Sequence, residues 1–261
     1  NEFYRNLLDE FKLDTEAIDF ESVIGNLNLK FITERSGNKT LSVGDVHDYE
    51  IVKVVGDTIL IGESLSEALT YKTFTNFLLD SVEYSIASFK KHFNIQDYVD
   101  GFQRYKKYSR RDVFRILGWE KNPNPQNVGG YVVSNDLSNC PIFVNYQKTD
   151  DIADSIKYED RFVSPEKFVY MSKNRRTLNS PDVSAIADQE TNGIRLPLFI
   201  KKSNDEGLSF YFMGDLSVIP DSFIQETMNV ADGSDVSVVK MEFKLDKGVN
   251  PSLYDYITDS A

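Results

Sequence analysis

Apolar side chains recur at three- and four-residue spacing between Tyr71 and Phe93, a pattern typical of an amphipathic helix. The repeating positions are Phe74, Phe77, Leu78, Val82, Ile86, Phe89 and Phe93. Because such a stripe covers one face of a helix, the pattern predicts a long helix that packs into a core, and it does not indicate a cofactor site.

Shorter patterns predict other elements in the first 120 residues. Apolar spacing indicates a helix over residues 2–12. Ser109 and Asp112 form a capping pair that begins another helix over residues 110–117. The β-branched residues of 49–61 surround a Gly-Asp step, which predicts a short hairpin.

The character of the sequence changes at residues 121–130. This stretch contains Pro123, Pro125, Gly129 and Gly130 together with three asparagines, a composition that disfavours a helix and suits a linker. We therefore expect a helical module over residues 1–120 and a second domain over 121–261. A chain that enters a helical pattern directly after Asn1 is expected to be a piece of a longer protein.

Alternating apolar segments with polar turns predict strands in the second domain. The predicted strands are residues 131–134, 141–146, 196–201, 208–213 and 236–245. One long connection over residues 150–195 separates the second strand from the third. Several short strands joined by turns favour an α+β fold with a mainly antiparallel, partly open barrel and an ordered insertion, over a parallel α/β sheet.

The net charge of −12 argues against a protein that binds nucleic acid over its whole surface. Positive charge is concentrated in two places. Six of the residues from Arg104 to Arg115 are basic, and Lys173, Arg175 and Arg176 form a second cluster. Either cluster is also compatible with an ordinary solvated face. Any contact with DNA is therefore expected to be local.

The sequence lacks the residues that several kinds of site require. The single Cys140 cannot form an internal disulfide, and the two histidines, His47 and His92, cannot complete a zinc site. No phosphate loop of the Walker type occurs, so we expect no ATP hydrolysis, no metal and no cofactor. No apolar run is long enough for a membrane span, which favours an intracellular, soluble protein.

A metal-dependent nuclease is the enzyme alternative. Glu242 and Lys244 form a Glu-x-Lys step that follows Asp235, and on a strand their side chains share one face. Amphipathic edge strands have the same pattern. We therefore expect no catalysis by this chain alone.

Polar and aromatic residues alternate between Asp150 and Leu178 in a way that suits an extruded base. Aromatic rings can stack on such a base, a carboxylate can accept from the N4 amino group of cytosine, and basic residues can hold the flanking phosphates. The candidates for the base are Tyr158, Asp160, Phe162, Tyr170, Ser172 and Asn174. The candidates for phosphate are Lys173, Arg175, Arg176, Lys201 and Lys202. A core with a surface ion-pair network remains the alternative.

Five segments carry a resemblance to a known family. They are Tyr108-Ser109-Arg110-Arg111-Asp112-Val113, Cys140-Pro141-Ile142-Phe143-Val144, Tyr158-Glu159-Asp160-Arg161-Phe162, Met171-Ser172-Lys173-Asn174-Arg175-Arg176-Thr177-Leu178 and Leu198-Phe199-Ile200-Lys201-Lys202. In order and spacing they resemble the domain at the carboxyl end of superfamily-2 helicases that are fused to a phospholipase-D-type nuclease. Proteins of that build resemble type IV restriction enzymes of the SauUSI type.

The resemblance implies a helical coupler followed by a target-recognition domain with an SRA-like or PUA-like fold. It implies binding of 5-methylcytosine or 5-hydroxymethylcytosine in duplex DNA by base flipping, in the cytoplasm of a bacterium that restricts phage DNA. The helicase and nuclease domains of the parent chain are the implied partners, and a homodimer is compatible with it. The alternative function is a protein-interaction or dimerisation domain that docks the motor without reading a base.

Overall fold

The chain divides into two units. A computed structural model describes residues 20–56, 58–123, 128–147, 160–229 and 233–259. The first unit comprises Asn1–Gln103 and Phe114–Asn122, and the second comprises Arg104–Val113 and Pro123–Ala261. The helix predicted over residues 2–12 lies outside the described residues. The assignment of a coupler to residues 1–120 and of a reader to 121–261 remains a prediction.

Helices of 4 to 21 residues and three hairpins build the described part of the first unit. Its elements are α1 (Phe20–Leu27), β1 (Thr33–Ser36), β2 (Lys39–Ser42), α2 (Val43–Val46), β3 (Val52–Val55), β4 (Thr58–Ile61), α3 (Glu63–Ala68), α4 (Lys72–His92), a 3-10 turn (Ile95–Asp97), β5 (Tyr98–Val99) and β6 (Phe102–Gln103). Each of the pairs β1–β2, β3–β4 and β5–β6 is antiparallel. The hairpin predicted within residues 49–61 is confirmed.

Helix α4 is confirmed as a helix, but its predicted burial is wrong. None of its residues is buried, and Phe77 and Tyr84 are 70% and 73% exposed. Helical spacing fixes which side chains share a face, whereas burial depends on what covers that face. No helix among the described residues is both long enough and apolar enough to cross a membrane.

The second unit is a curled sheet with helices. Its elements are β7 (Lys107–Ser109), α5 (Arg110–Ile116, whose last three residues belong to the first unit), β8 (Ile142–Asn145), β9 (Arg161–Ser164), β10 (Lys167–Met171), α6 (Pro181–Ala187), α7 (Gln189–Asn192), β11 (Pro197–Lys201), a 3-10 turn (Asn204–Glu206), β12 (Ser209–Val218), β13 (Ile224–Asn229), β14 (Asp235–Leu245) and α8 (Pro251–Thr258).

Eight strands of the described chain form one sheet in the order β8-β11-β12-β14-β10-β9, with β13 beside β14 and β7 beside β12. The β8–β11 pair is parallel, and the other pairs are antiparallel. The predicted α+β fold with a mainly antiparallel, partly open barrel is therefore confirmed, and the half-barrel is consistent with an SRA-like fold.

The capping pair and most of the predicted strands are confirmed. The Ser109 hydroxyl donates to Asp112 Oδ2 at 2.7 Å and accepts from the Asp112 N–H at 3.2 Å, which starts α5. The strand predicted over 131–134 is wrong, because Tyr131 makes only an isolated bridge to Ile142. The connection over 150–195 is no mere insertion, since it supplies β9 and β10 to the sheet.

Alternate residues of the strands fill the core of the second unit, as expected where successive side chains point to opposite faces. Ile142 and Val144 of β8 lie in the core cluster together with Leu198 and Ile200 of β11. The cluster also contains aromatic side chains, among them Tyr131, Phe162, Phe168, Tyr170 and Phe243.

Candidate nucleic-acid interface

Three of the basic residues that the sequence singles out, Lys173, Arg175 and Arg176, lie on residues 172–177. These residues directly follow β10 and are named the basic loop. Ser172 fixes its start against β14. The Ser172 N–H donates to Val239 O at 2.9 Å, and the Ser172 hydroxyl accepts from the Val239 N–H at 2.8 Å. Near the other end, the Arg176 N–H donates to Ser237 O at 3.1 Å. The loop is therefore held along a strand of the sheet.

An ion pair ties Arg176 to helix α6. Its Nε donates to Asp182 Oδ2 at 2.7 Å, and the Tyr131 hydroxyl donates to the same oxygen at 2.9 Å. Burial raises the pKa of Asp182, but the hydrogen bonds from Arg176 and Tyr131 outweigh burial, so the pKa is lowered overall. The hydrogen bond to Asp182 raises the pKa of Arg176. Both groups are therefore charged, and they fix the end of the basic loop.

Lys173 lies over the ring of Tyr131, with its Nζ 4.7 Å from the ring centroid. Burial lowers the pKa of this half-buried lysine, although the negative charge of Asp182 opposes the effect. The nearby Cys140 thiol is fully buried, and burial raises its pKa. A neutral thiol in this position packs and does not act as a nucleophile.

Asn174 and Arg175 form the exposed tip of the basic loop. Arg175 has a φ of +62°, a left-handed conformation that costs an L residue about 1–2 kcal/mol. Such a conformation persists where the surrounding structure holds it, and here Ser172 and Arg176 are hydrogen-bonded on either side. The structure thus holds a cation at an exposed turn.

Asp160 precedes β9 at the end of the sheet where the basic loop begins. Its Oδ1 accepts from the Met171 N–H at 3.0 Å, and Met171 is the residue directly before Ser172. Asp160, the predicted acceptor for the N4 amino group of cytosine, is therefore half-buried, and the backbone beside the basic loop orients its side chain. Tyr158, the predicted stacking residue nearest to it in sequence, lies outside the described residues.

Phe162 and Tyr170 belong to the core, with 6% and 5% of their surface exposed. The Phe162 ring lies 5.0 Å from that of Phe168, and the Tyr170 ring meets Tyr131 edge-on at 6.0 Å. A Cβ placed on Gly130, whose φ is +78°, would overlap the Tyr170 hydroxyl. Either ring would have to leave these contacts to stack on a base, so their stacking role remains a prediction.

Lys201 and Lys202 lie at the end of β11 and not on the basic loop. The Lys201 Nζ donates to Gly207 O at 3.0 Å and lies 5.1 Å from the centroid of the Phe210 ring. Lys202 lies over Tyr256, with its Nζ 4.9 Å from the ring centroid. Burial lowers the pKa of Lys201, which is only 7% exposed. Their role as phosphate contacts remains a prediction.

The first acid of the nuclease alternative, Asp235, lies far from the Glu-x-Lys step. Asp235 and Glu242 are seven positions apart on β14, which corresponds to about 23 Å at the rise of an extended strand. Glu242 forms an ion pair with Lys167 at 2.7 Å. Among the described residues, no group of three or more His, Cys, Asp or Glu could hold a metal ion.

Sequence reasoning did not identify Tyr131 and Asp182, which anchor the basic loop. The Ser180-Pro181-Asp182 step had a usable signal, because proline at the first helical position followed by an acid is typical of a helix start. Tyr131 had no such signal, because its contact with Asp182 joins residues 51 positions apart.

Comparisons with known proteins give a family and several solved structures, two of which are described below. Residues 102–257, more than half of the chain, match the family described as "Domain of unknown function (DUF3427)". No curated protein matches. A similar structure is "DNA modification-dependent restriction endonuclease AspBHI", with a TM-score of 0.35 and 16% identity over 49% of this chain and 37% of that chain.

Another similar structure is "Sulfur binding domain and SRA domain of ScoMcrA complexed with phosphorothioated DNA". It has a TM-score of 0.38 and 10% identity, over 60% of this chain and 45% of that chain. Each likeness therefore spans less than half of the solved chain.

Proposed function

We propose, from the premise that the chain belongs to the DUF3427 family, that its second unit binds duplex DNA carrying a modified cytosine. In this proposal the chain is the target-recognition part of a modification-dependent restriction enzyme. The observation that carries it is the basic loop, where a protein of net charge −12 keeps three cations within four residues. The loop is anchored at both ends and exposed at its tip, as an interface with phosphates requires.

The three cations of the basic loop have different roles. Arg175 is exposed and contacts a phosphate directly, whereas Arg176 is engaged by Asp182 and positions the loop. Lys173 is half-buried over Tyr131, and an arriving phosphate would offset the cost that burial places on its charge. Such contacts set register and affinity, but they do not read sequence.

Recognition of the base is assigned to the residues beside the loop. Asp160 accepts from the N4 amino group of an extruded cytosine, while thymine, with a carbonyl at that position, is repelled. Tyr158 stacks on the base, Ser172 and Asn174 supply further hydrogen bonds, and Phe162 and Tyr170 support the pocket from the core. A pocket for one methyl group is worth about 1–3 kcal/mol, so preference for 5-methylcytosine or 5-hydroxymethylcytosine is limited to roughly 10- to 200-fold.

The parent enzyme supplies the chemistry in this proposal. A superfamily-2 helicase and a phospholipase-D-type nuclease of the SauUSI type would precede this region, and the first unit would couple them to the reader. The chain alone would neither hydrolyse ATP nor cut DNA, and the whole protein would act in the bacterial cytoplasm against phage DNA.

A binding titration tests the proposal. Fluorescence anisotropy with two duplexes of identical sequence, one bearing 5-methylcytosine, should show tighter binding of the modified duplex. Binding of both should weaken as salt rises, because phosphate contacts release counterions. Equal affinity for the two duplexes at about 0.15 M salt, the physiological ionic strength, would contradict the reader function. Metal-dependent cleavage that is lost in Glu242→Ala would contradict the absence of catalysis.

The exposed apolar face of α4 favours a second candidate function, in which the first unit docks the motor of the parent enzyme. Phe74, Phe77 and Tyr84 are spaced three and seven residues apart, so they share one side of a helix without buried residues. They are 43%, 70% and 73% exposed. In this alternative the second unit reads no base and serves association. Two measurements distinguish the candidates: light scattering, which reports the association state, and the titration above. A domain that serves only association would bind the two duplexes equally.

A further inference from the structure

Two cations share one aromatic ring where β8, β11 and β12 lie side by side. The Cζ atom of Arg110 lies 5.2 Å from the ring centroids of both Phe143 and Phe210. The Nζ atom of Lys201 lies 5.1 Å from the same Phe210 centroid. Phe143 and Phe210 meet edge-on at 5.4 Å, so the guanidinium rests on two rings that contact each other.

Both cations are desolvated, and they repel one another. Burial lowers the pKa of Arg110. Burial is also the largest cause that lowers the pKa of Lys201, and the positive charge of Arg110 is the next. Charges taken out of water are retained at low cost only when they are paired or hydrogen-bonded.

The described residues supply little compensation. Lys201 Nζ donates to Gly207 O at 3.0 Å, whereas the buried Nε of Arg110 has no hydrogen-bond partner. No carboxylate in the described ranges forms an ion pair with either cation. Glu206 attracts Lys201 at longer range, but its oxygens are already engaged. They accept from Lys107 Nζ at 3.1 Å, from the Tyr256 hydroxyl at 2.7 Å and from the Lys202 N–H at 2.6 Å.

We infer that Arg110 and Lys201 form an anion site for a phosphate-class oxyanion, separate from the basic loop. A guanidinium presents paired N–H donors that fit two oxygens of a tetrahedral anion, and an ammonium adds a point charge. The aromatic rings limit water at the site, which strengthens the attraction. Assigning the anion to the DNA backbone rests on the proposed function, whereas binding of free phosphate does not.

Titration with inorganic phosphate tests the site. Thermal melts of the 261-residue chain are recorded in phosphate and in chloride of equal ionic strength, because a ligand that binds the folded state raises the melting temperature. Wild type should melt higher in phosphate, and Arg110→Gln and Lys201→Met should lose this difference. Arg111→Gln is the matched control, since Arg111 is the next residue of α5 and is exposed. Arg110→Lys, which keeps the charge, should retain part of the difference.

Binding of unmodified duplex DNA identifies the source of the phosphate. If the backbone occupies the site, Arg110→Gln should lower the slope of log affinity against log salt by about 1, while Arg111→Gln leaves it unchanged. A phosphate-dependent melt with an unchanged slope would assign the site to a free phosphate compound. A wild type without a phosphate-dependent shift, or an Arg110→Gln chain that keeps the full shift, would overturn the inference. These melts remain decisive even if modified and unmodified duplexes bind equally.

Discussion

The Nε atom of Arg176 lies 2.7 Å from Oδ2 of Asp182, so a residue expected to clamp phosphate is already bound to an acid of the same chain. The pair joins the end of the basic loop to the first turn of α6. Since the Tyr131 hydroxyl donates to the same oxygen, the carboxylate connects three segments of the second unit. In the proposed function, Arg176 therefore positions the basic loop, and Arg175 is the residue that contacts a phosphate.

Asp182→Asn should destabilise the protein by about 1–2 kcal/mol, because it removes the charge that accepts two hydrogen bonds. Urea unfolding measures the effect. Asp188→Asn is the control, since Asp188 is exposed at the other end of α6 and its side chain does not cap the helix that follows. It should change stability by at most about 0.5 kcal/mol.

The same substitution should change the response to acid. Because the pKa of Asp182 is lower in the folded state, its stabilisation is present above the ordinary carboxyl pKa of about 3.9 and is lost as the pH falls through the lower folded value. Unfolding free energies measured between neutral pH and pH 3 should fall less steeply in Asp182→Asn than in wild type. Parallel curves would show that this carboxylate does not contribute.

Arg175→Ala should weaken binding of modified and unmodified duplexes alike and reduce the salt slope by about 1, because phosphates are common to both. Lys244→Ala is the matched control. Lys244 is exposed and pairs with Lys167 at the end of β10 that is remote from the loop. A preference for one duplex that changes in Arg175→Ala would assign Arg175 to the base instead.

Asp160→Asn should reduce the preference for modified cytosine without lowering the melting temperature, because an asparagine oxygen can still accept from the Met171 N–H. Asp160→Ala should lose the preference and also about 1–3 kcal/mol of stability, since the Met171 N–H then lacks its acceptor. Anisotropy titrations paired with thermal melts separate the two effects. Full discrimination by Asp160→Asn would remove this residue from the proposed site.

Phe77→Ser should change the free energy of unfolding by at most about 0.5 kcal/mol, because the Phe77 side chain is 70% exposed. Phe168→Ala, at a fully buried position, should cost about 3–5 kcal/mol. Urea denaturation compares the two. A large loss in Phe77→Ser would show that the α4 face is covered in solution.

Local signals predicted local structure well. Ser109 and Asp112 are three residues apart and cap α5 as their spacing indicates, and the β3–β4 hairpin closes over a short turn. The sequence pattern predicted the fold class, a mainly antiparallel, partly open barrel. It did not predict strand β10, which lies within the segment 150–195 that was expected to be a connection. Its position between β9 and β14 depends on pairing with residues about 70 positions away, such as Phe168 with Phe243, which periodicity does not report.

The candidate site shows the same division. Its residue types were visible in the sequence, because arginines, lysines and a carboxylate are clustered between Asp160 and Arg176. The sequence did not show which cation is available to bind phosphate, because that depends on the contact of Arg176 with Asp182 and Tyr131. Burial was also hidden, and Phe162 and Tyr170 have the composition of a stacking pair while they lie in the core.

The hydroxyl of Tyr170 fills the space that a side chain at position 130 would need, and position 130 is a glycine. The two positions are therefore not free to change independently. A chain that gains even a methyl group at position 130 must give up an oxygen at position 170 or move the segment before β8 away from β10. Among proteins with this fold, we expect these two positions to covary in size, and such covariation would link the segment before β8 to the strand that carries the basic loop.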